Sequence, residues 1–125
     1  MDTGALYFDP NNYPDPPGHI PVRVPAETRM HYFDFFMQHA RTFLASSSVK
    51  NSCIIDYVIP SNTSSVDLAR RMAAAMGAPF IYPEVENLVS FDGSHLIIES
   101  SERWATAYLK IVDAHLDECI ASLKK

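Results

Sequence analysis

The chain has 125 residues, 47% of them hydrophobic and 20% charged, which is typical of one globular domain with a sizeable core. Fifteen acidic and ten basic residues give a net charge of −5, which argues against nucleic acid or an anionic membrane surface as a partner. No apolar run approaches the ~20 residues that a membrane-spanning helix needs.

Residues 1–25 are predicted to form a proline-rich extended segment, ahead of an α/β domain over 26–125. Six prolines lie between Asp9 and Pro25, and each fixes φ and lacks a backbone donor. The opening residues Met1 and Asp2 do not begin a signal peptide, because neither a basic segment nor an apolar core follows. The compartment therefore stays unknown, and export of a longer parent protein remains open.

Helical periodicity begins after the prolines and predicts a helix over 26–45 with one apolar stripe packed into the core. His31 and His39 are eight residues apart, but no cysteine or carboxylate set accompanies them. We therefore predict no metal site there. The stripe consists of Phe33, Phe36, Met37, Ala40, Phe43 and Leu44.

Two short β-branched runs, 54–59 and 80–82, predict buried strands. Between them a helix is expected to start after a Ser64 or Ser65 cap and to end at Gly77. A strand–helix–strand order implies parallel strands joined by a crossover. The fold expected is α/β, a partial three-layer parallel sheet of the flavodoxin-like type that lacks its N-terminal strands.

Asp92 and His95 stand three residues apart, just before an amphipathic helix predicted over 99–123. A histidine that acts as a base needs a partner to fix its tautomer and stabilise the imidazolium, and Asp92 can supply it from the same turn. The alternative is that Asp92, Gly93 and Ser94 simply form a turn.

The stretch Phe91-Asp92-Gly93-Ser94-His95-Leu96, followed by Glu99-Ser100-Ser101-Glu102-Arg103-Trp104, resembles the C-terminal block of the SGNH (GDSL-like) hydrolases. The run from Cys53 to Pro60 is similar to a late strand of that family. The resemblance implies that Asp92 is the orienting carboxylate and His95 the general base of a Ser-His-Asp triad. It also implies an ester or an acylated carbohydrate as the substrate.

The chain departs from the family in its nucleophile, because none of its four glycines begins a Gly-Asp-Ser block or supplies the expected oxyanion donors. The chain is therefore expected to be the C-terminal part of a serine esterase or acyl hydrolase, inactive unless other polypeptide completes it. Ser61, Ser64 and Ser65 are alternative nucleophiles, since their loop leaves the first strand at the same edge as His95. Nothing in the sequence predicts a cofactor.

A second interpretation is a non-catalytic α/β module whose open sheet edge pairs with another chain, either a second copy or a completing chain. The two cysteines also leave two alternatives. Cys53 begins the first predicted strand and Cys119 lies near the end of the last helix, so both are expected at the base of the sheet. They are either a disulfide or two separate buried thiols.

Overall fold

A computed structural model describes residues 20–26 and 30–123, and helices make up more than half of them. Residues 1–19 of the predicted extended segment and residues 27–29 of the helix predicted over 26–45 lie outside these ranges. Short 3-10 turns occupy Met30–Tyr32 and Asn51–Cys53. The other elements, in chain order, are β1 (Ile20–Pro21), α1 (Phe33–Ser46), α2 (Val66–Met76), β2 (Val89–Ser90) and α3 (Ile98–Leu123).

The expectation of a partial three-layer parallel sheet is wrong. The one sheet in the described residues is the two-stranded antiparallel pair β1–β2, in which Ile20 lies opposite Ser90 and Pro21 opposite Val89. The segments 54–59 and 80–82 run parallel, but they meet in a single bridge between Asp56 and Phe80. The Asp56 amide donates to Pro79 O at 2.9 Å, and the Ile81 amide donates to Asp56 O at 3.0 Å.

The physical reason is the placement of the prolines. Pro79 and Pro83 bracket the second segment and Pro60 ends the first, so the amide donors that would extend the ladder are missing. Asp56 adds a charged side chain at the bridge, and its burial raises the pKa of this carboxyl above its usual value. Two adjacent extended segments result, rather than a sheet.

The observed helices agree with the sequence-based predictions better than the strands do. Helix α2 ends at Gly77, whose φ of 67° is left-handed and whose amide caps the helix by donating to Ala73 O and Ala74 O. Ser65 precedes α2, but its side chain makes no capping hydrogen bond. Helix α1 packs on α2 and buries Met37, whereas Phe36 and Phe43 are 41% and 61% exposed. The prediction that both rings lie in the core is therefore wrong.

Helix α3 packs against the first extended segment through an aromatic cluster. Trp104 is buried and stacks on Tyr108 at a centroid distance of 5.2 Å, while Tyr57 lies 5.0 Å from Tyr108. The remaining buried apolar side chains come from α1, α2 and the segments between α2 and α3: Met37, Leu68, Ala73, Ala78, Ile81, Leu88 and Ile97.

A disulfide joins Cys53 to Cys119, with their Cα atoms 5.6 Å apart. Of the two alternatives that the sequence left open, the disulfide is the one found. His115 Nε2, one turn earlier in α3, donates to Ser52 O at 2.9 Å. The far end of α3 is thus attached to the turn before the first extended segment.

Among residues 20–26 and 30–123, no helix combines the length and apolar character required to cross a bilayer.

Candidate functional site

The Asp92–His95 turn is the tip of a tight loop between β2 and α3. The Phe91 amide donates to His95 O at 3.0 Å, and the Ile97 amide donates to Val89 O at 3.0 Å, so the chain reverses direction within seven residues. Gly93 makes the reversal with a φ of 87°, a conformation that residues with a Cβ rarely adopt. The turn geometry predicted from the Asp-Gly-Ser sequence is therefore present, and it holds Asp92 and His95 together.

Asp92 is the centre of the hydrogen bonds at this tip. Its Oδ1 accepts from the amides of Ser94 at 2.8 Å and His95 at 2.7 Å, and its Oδ2 lies 2.7 Å from His95 Nδ1. The Ser94 amide, the His95 ring and the His95 amide together lower the pKa of Asp92 to about 2. Asp92 is therefore an ionised carboxylate at neutral pH and can only accept hydrogen bonds.

The protonation of the His95 ring follows from its partner. Because ionised Asp92 carries no proton, the Nδ1 atom must donate, which leaves the lone pair of the neutral ring on Nε2. The His95 side chain is 70% exposed, and its ring stacks on Phe91 at a centroid distance of 5.4 Å with an interplanar angle of 13°. This arrangement presents a base to solvent in a fixed tautomer and orientation.

Two buried serines stabilise the loop through hydrogen bonds to its backbone. Ser90 Oγ accepts from the Gly93 amide at 2.9 Å and donates to Ile20 O at 3.1 Å. Ser100 Oγ accepts from the Val89 amide at 2.9 Å. Ser90 and Ser100 are 0% and 2% exposed. Sequence reasoning missed both positioning residues, since the roles of their hydroxyls depend on backbone groups that are eleven and seventy residues away.

The loop over 61–65 contacts the turn, although the parallel sheet on whose edge the sequence predicted both is not formed in the described residues. The Asn62 amide donates to Gly93 O at 2.8 Å. The alternative nucleophiles, however, do not contact the base. Ser61 and Ser64 are buried and lie 2.8 Å apart Oγ to Oγ, and Ser64 also donates to Ile59 O. Ser65 Oγ is buried without a hydrogen-bond partner among the described residues.

Metal ligation has no support in the part of the chain that the structure describes, because it holds no group of three or more His, Cys, Asp or Glu side chains arranged to bind an ion. The site that remains is a carboxylate–imidazole pair on an exposed turn. It can orient a ring, accept a proton at Nε2 and stabilise the resulting cation.

Comparison with known proteins adds no constraint, since no family model, no curated protein and no solved structure matches this chain.

Proposed function

We propose that Asp92 and His95 are the orienting carboxylate and the general base of an SGNH-like serine esterase or acyl hydrolase, whose nucleophile lies on polypeptide other than this chain. The observation that carries the proposal is the 2.7 Å hydrogen bond between His95 Nδ1 and Asp92 Oδ2, with the rest of the imidazole open to solvent. The substrate class implied by the resemblance is a small ester or an acylated carbohydrate.

The chemistry requires one group among the described residues, His95 Nε2, to accept and return a proton in each of the two half-reactions. A serine hydroxyl attacks the ester carbonyl, and His95 Nε2 takes its proton as the C–O bond forms. Asp92 stabilises the imidazolium without itself becoming protonated. His95 then returns the proton to the departing alkoxide, and the acyl group stays on the serine until water, activated by the same ring, releases it.

The exposure of the pair agrees with a site that other polypeptide completes. A general base in a finished site is partly shielded from water, because shielding strengthens the electrostatic interactions within the site. The His95 side chain is 70% exposed and that of Asp92 is 41% exposed, so a partner surface has room to cover both. The face of the ring opposite Phe91 and the Nε2 edge are the surfaces left for it.

The alternative, a non-catalytic interaction module, has one specific observation in its favour. Tyr57 and Ile59 are 49% and 50% exposed along the first extended segment, and Asp56 directs its backbone bonds towards Phe80. By strand alternation, Ile55 and Ile59 direct their amides to the opposite edge. Rapid hydrogen exchange at these two amides in the isolated chain, lost when a partner binds, would support the module. Slow exchange in the isolated chain would exclude it.

The esterase proposal is tested with p-nitrophenyl acetate. We expect the isolated chain to show no hydrolysis above that of free imidazole. If the reading frame continues upstream of Met1 and encodes a Gly-Asp-Ser block, we expect the longer protein to be active. In that protein His95→Ala should lower kcat by about 10²-fold to 10⁴-fold. His31→Ala is the matched control, since it removes an exposed histidine on another element.

Two results would contradict the assignment. These are hydrolysis that survives His95→Ala and hydrolysis that falls equally in the His31→Ala control, and each removes His95 as the base. An upstream sequence without a Gly-Asp-Ser block would exclude a nucleophile on the same polypeptide and require a separate completing chain.

A further inference from the structure

The outer face of α1 carries a row of aromatic rings that the fold does not cover. Tyr32, Phe35, Phe36 and Phe43 are 45%, 58%, 41% and 61% exposed, and His39 is exposed between them. We name Tyr32, Phe36, His39 and Phe43 the aromatic seam. Contiguous exposed apolar patches of more than a few hundred Å² mark sites of interaction with other molecules.

The spacing of the seam is that of a helix–helix contact. Its members follow one another at intervals of four, three and four residues, which is the alternation of a coiled-coil core. At about 100° per residue the seam occupies a stripe of roughly 60°, and Met37, the buried residue of α1, lies about 130° from its centre. The charged residues of α1, Asp34 and Arg41, fall about 180° away from it. The seam is therefore free of fixed charge.

The same spacing is identical when read backwards, so the seam can pair with a second, antiparallel copy of itself. An antiparallel helix related by a two-fold axis pairs residues whose numbers have a constant sum. The axis that brings Tyr32 opposite Phe43 of a second copy also brings Phe36 opposite His39. We propose that the aromatic seam is the interface between two copies of this chain, which associate through antiparallel α1 helices.

The residues that flank the seam extend the contact along its two borders. The two-fold axis keeps each border on its own side, so Phe35 lies beside Phe35 of the second copy and Ala40 lies beside Ala40. The small Ala40 side chains let the helices approach to the 8–10 Å at which packed helices lie, and the two Phe35 rings, offset along the helix axes, cover the other border.

The exposed area is sufficient for such an interface. With about 200 Å² for each aromatic side chain, the four exposed rings leave roughly 400 Å² of mainly apolar surface in water. A standard interface takes about 800 Å² from each partner, a little over half of it apolar. The seam and Phe35 therefore supply most of the apolar area that one side of a stable dimer needs.

The rings are already ordered against one another. The distances between ring centroids are 5.9 Å for Tyr32 and Phe36, 5.5 Å for Phe35 and Phe36, and 4.7 Å for Phe35 and His39. Side chains that are held in place before association lose less conformational entropy when they are covered. The preformed cluster thus favours association.

Sedimentation velocity on the full 125-residue chain tests the proposal, with the disulfide intact. We expect the mass to rise with concentration towards twice the 14.0 kDa of one chain. Phe43→Lys should raise the dissociation constant at least tenfold, because it places a charge in the seam. Leu109→Lys is the matched control, since Leu109 is 59% exposed on α3 and should leave the dimer unchanged.

Cross-linking tests the register separately. One sample of the chain carries Phe36→Cys and a second carries His39→Cys. When the two are mixed and oxidised, a disulfide between the two different variants should form more readily than a disulfide between two identical variants. A monomer at every concentration overturns the proposal. A dimer that survives Phe43→Lys, or that Leu109→Lys disrupts equally, also overturns it, and a Phe36→Cys chain that links best to itself excludes the antiparallel arrangement.

Discussion

Removal of the Cys53–Cys119 disulfide should destabilise the fold by a large, calculable amount. The bond closes a loop between residues that are 66 positions apart, so it restricts the unfolded chain strongly. In the chain-entropy treatment a loop of that length contributes about 4 kcal/mol to the free energy of unfolding. This is a large fraction of the 5–15 kcal/mol typical of a natural domain.

The variant that tests this prediction is Cys53→Ala with Cys119→Ala. Urea unfolding followed by circular dichroism should give a free energy of unfolding about 4 kcal/mol lower than that of the oxidised wild type. A reductant should lower the stability of the wild type by a similar amount and leave the double variant unchanged. A loss below about 1 kcal/mol, or a reductant effect on the double variant, would refute the reasoning.

Other consequences follow for the core and the turn. Met37→Ala should cost about 2–5 kcal/mol in urea unfolding, because Met37 is 1% exposed and its truncation leaves a cavity; a loss below 1 kcal/mol would contradict its place in the core. Gly93→Ala should cost about 1–2 kcal/mol, because Gly93 has a φ of 87° and a Cβ there would lie 3.5 Å from Asn62 Nδ2. The Asp92 contribution to stability should be complete above about pH 4 and be lost as the pH falls through about 2, because the folded-state pKa is lowered. NMR titration of the Asp92 carboxyl carbon checks this window, and a midpoint near 4 would contradict it.

The local features of the fold were predictable from the sequence, because their causes lie within a few residues. Gly77 ends α2 as expected, and α3 begins within one residue of its predicted start. The hydrogen bond between Asp92 and the His95 ring is also local, because the two residues are three positions apart in one tight turn.

The sheet and the supporting contacts were not predictable, because they depend on distant segments. The run 54–59 is typical of a buried strand, yet its neighbour is shortened by Pro79 and Pro83, and lateral pairing fails after one bridge. The β1–β2 pair joins Ile20, in the segment predicted to be proline-rich and extended, to Ser90. No pattern within either segment signals the other.

The aromatic seam shows the limit of helical periodicity. Phe36 and Phe43 belong to the apolar stripe of α1 by spacing, but the stripe is wider than the surface that α2 covers. Periodicity identifies which side chains share a face, whereas only the packing partner decides how much of that face is buried.

The most direct test of the central claim is the tautomer of His95, measured by ¹⁵N NMR of the ring in the intact chain at an alkaline pH, where the ring is neutral. We predict that the proton of the neutral ring resides on Nδ1, where Asp92 accepts it, and that Asp92→Asn shifts the population towards the Nε2–H form that free histidine favours. An Nε2–H ring in the wild type, or a tautomer ratio that Asp92→Asn leaves unchanged, would contradict an imidazole oriented by Asp92 to act as a base.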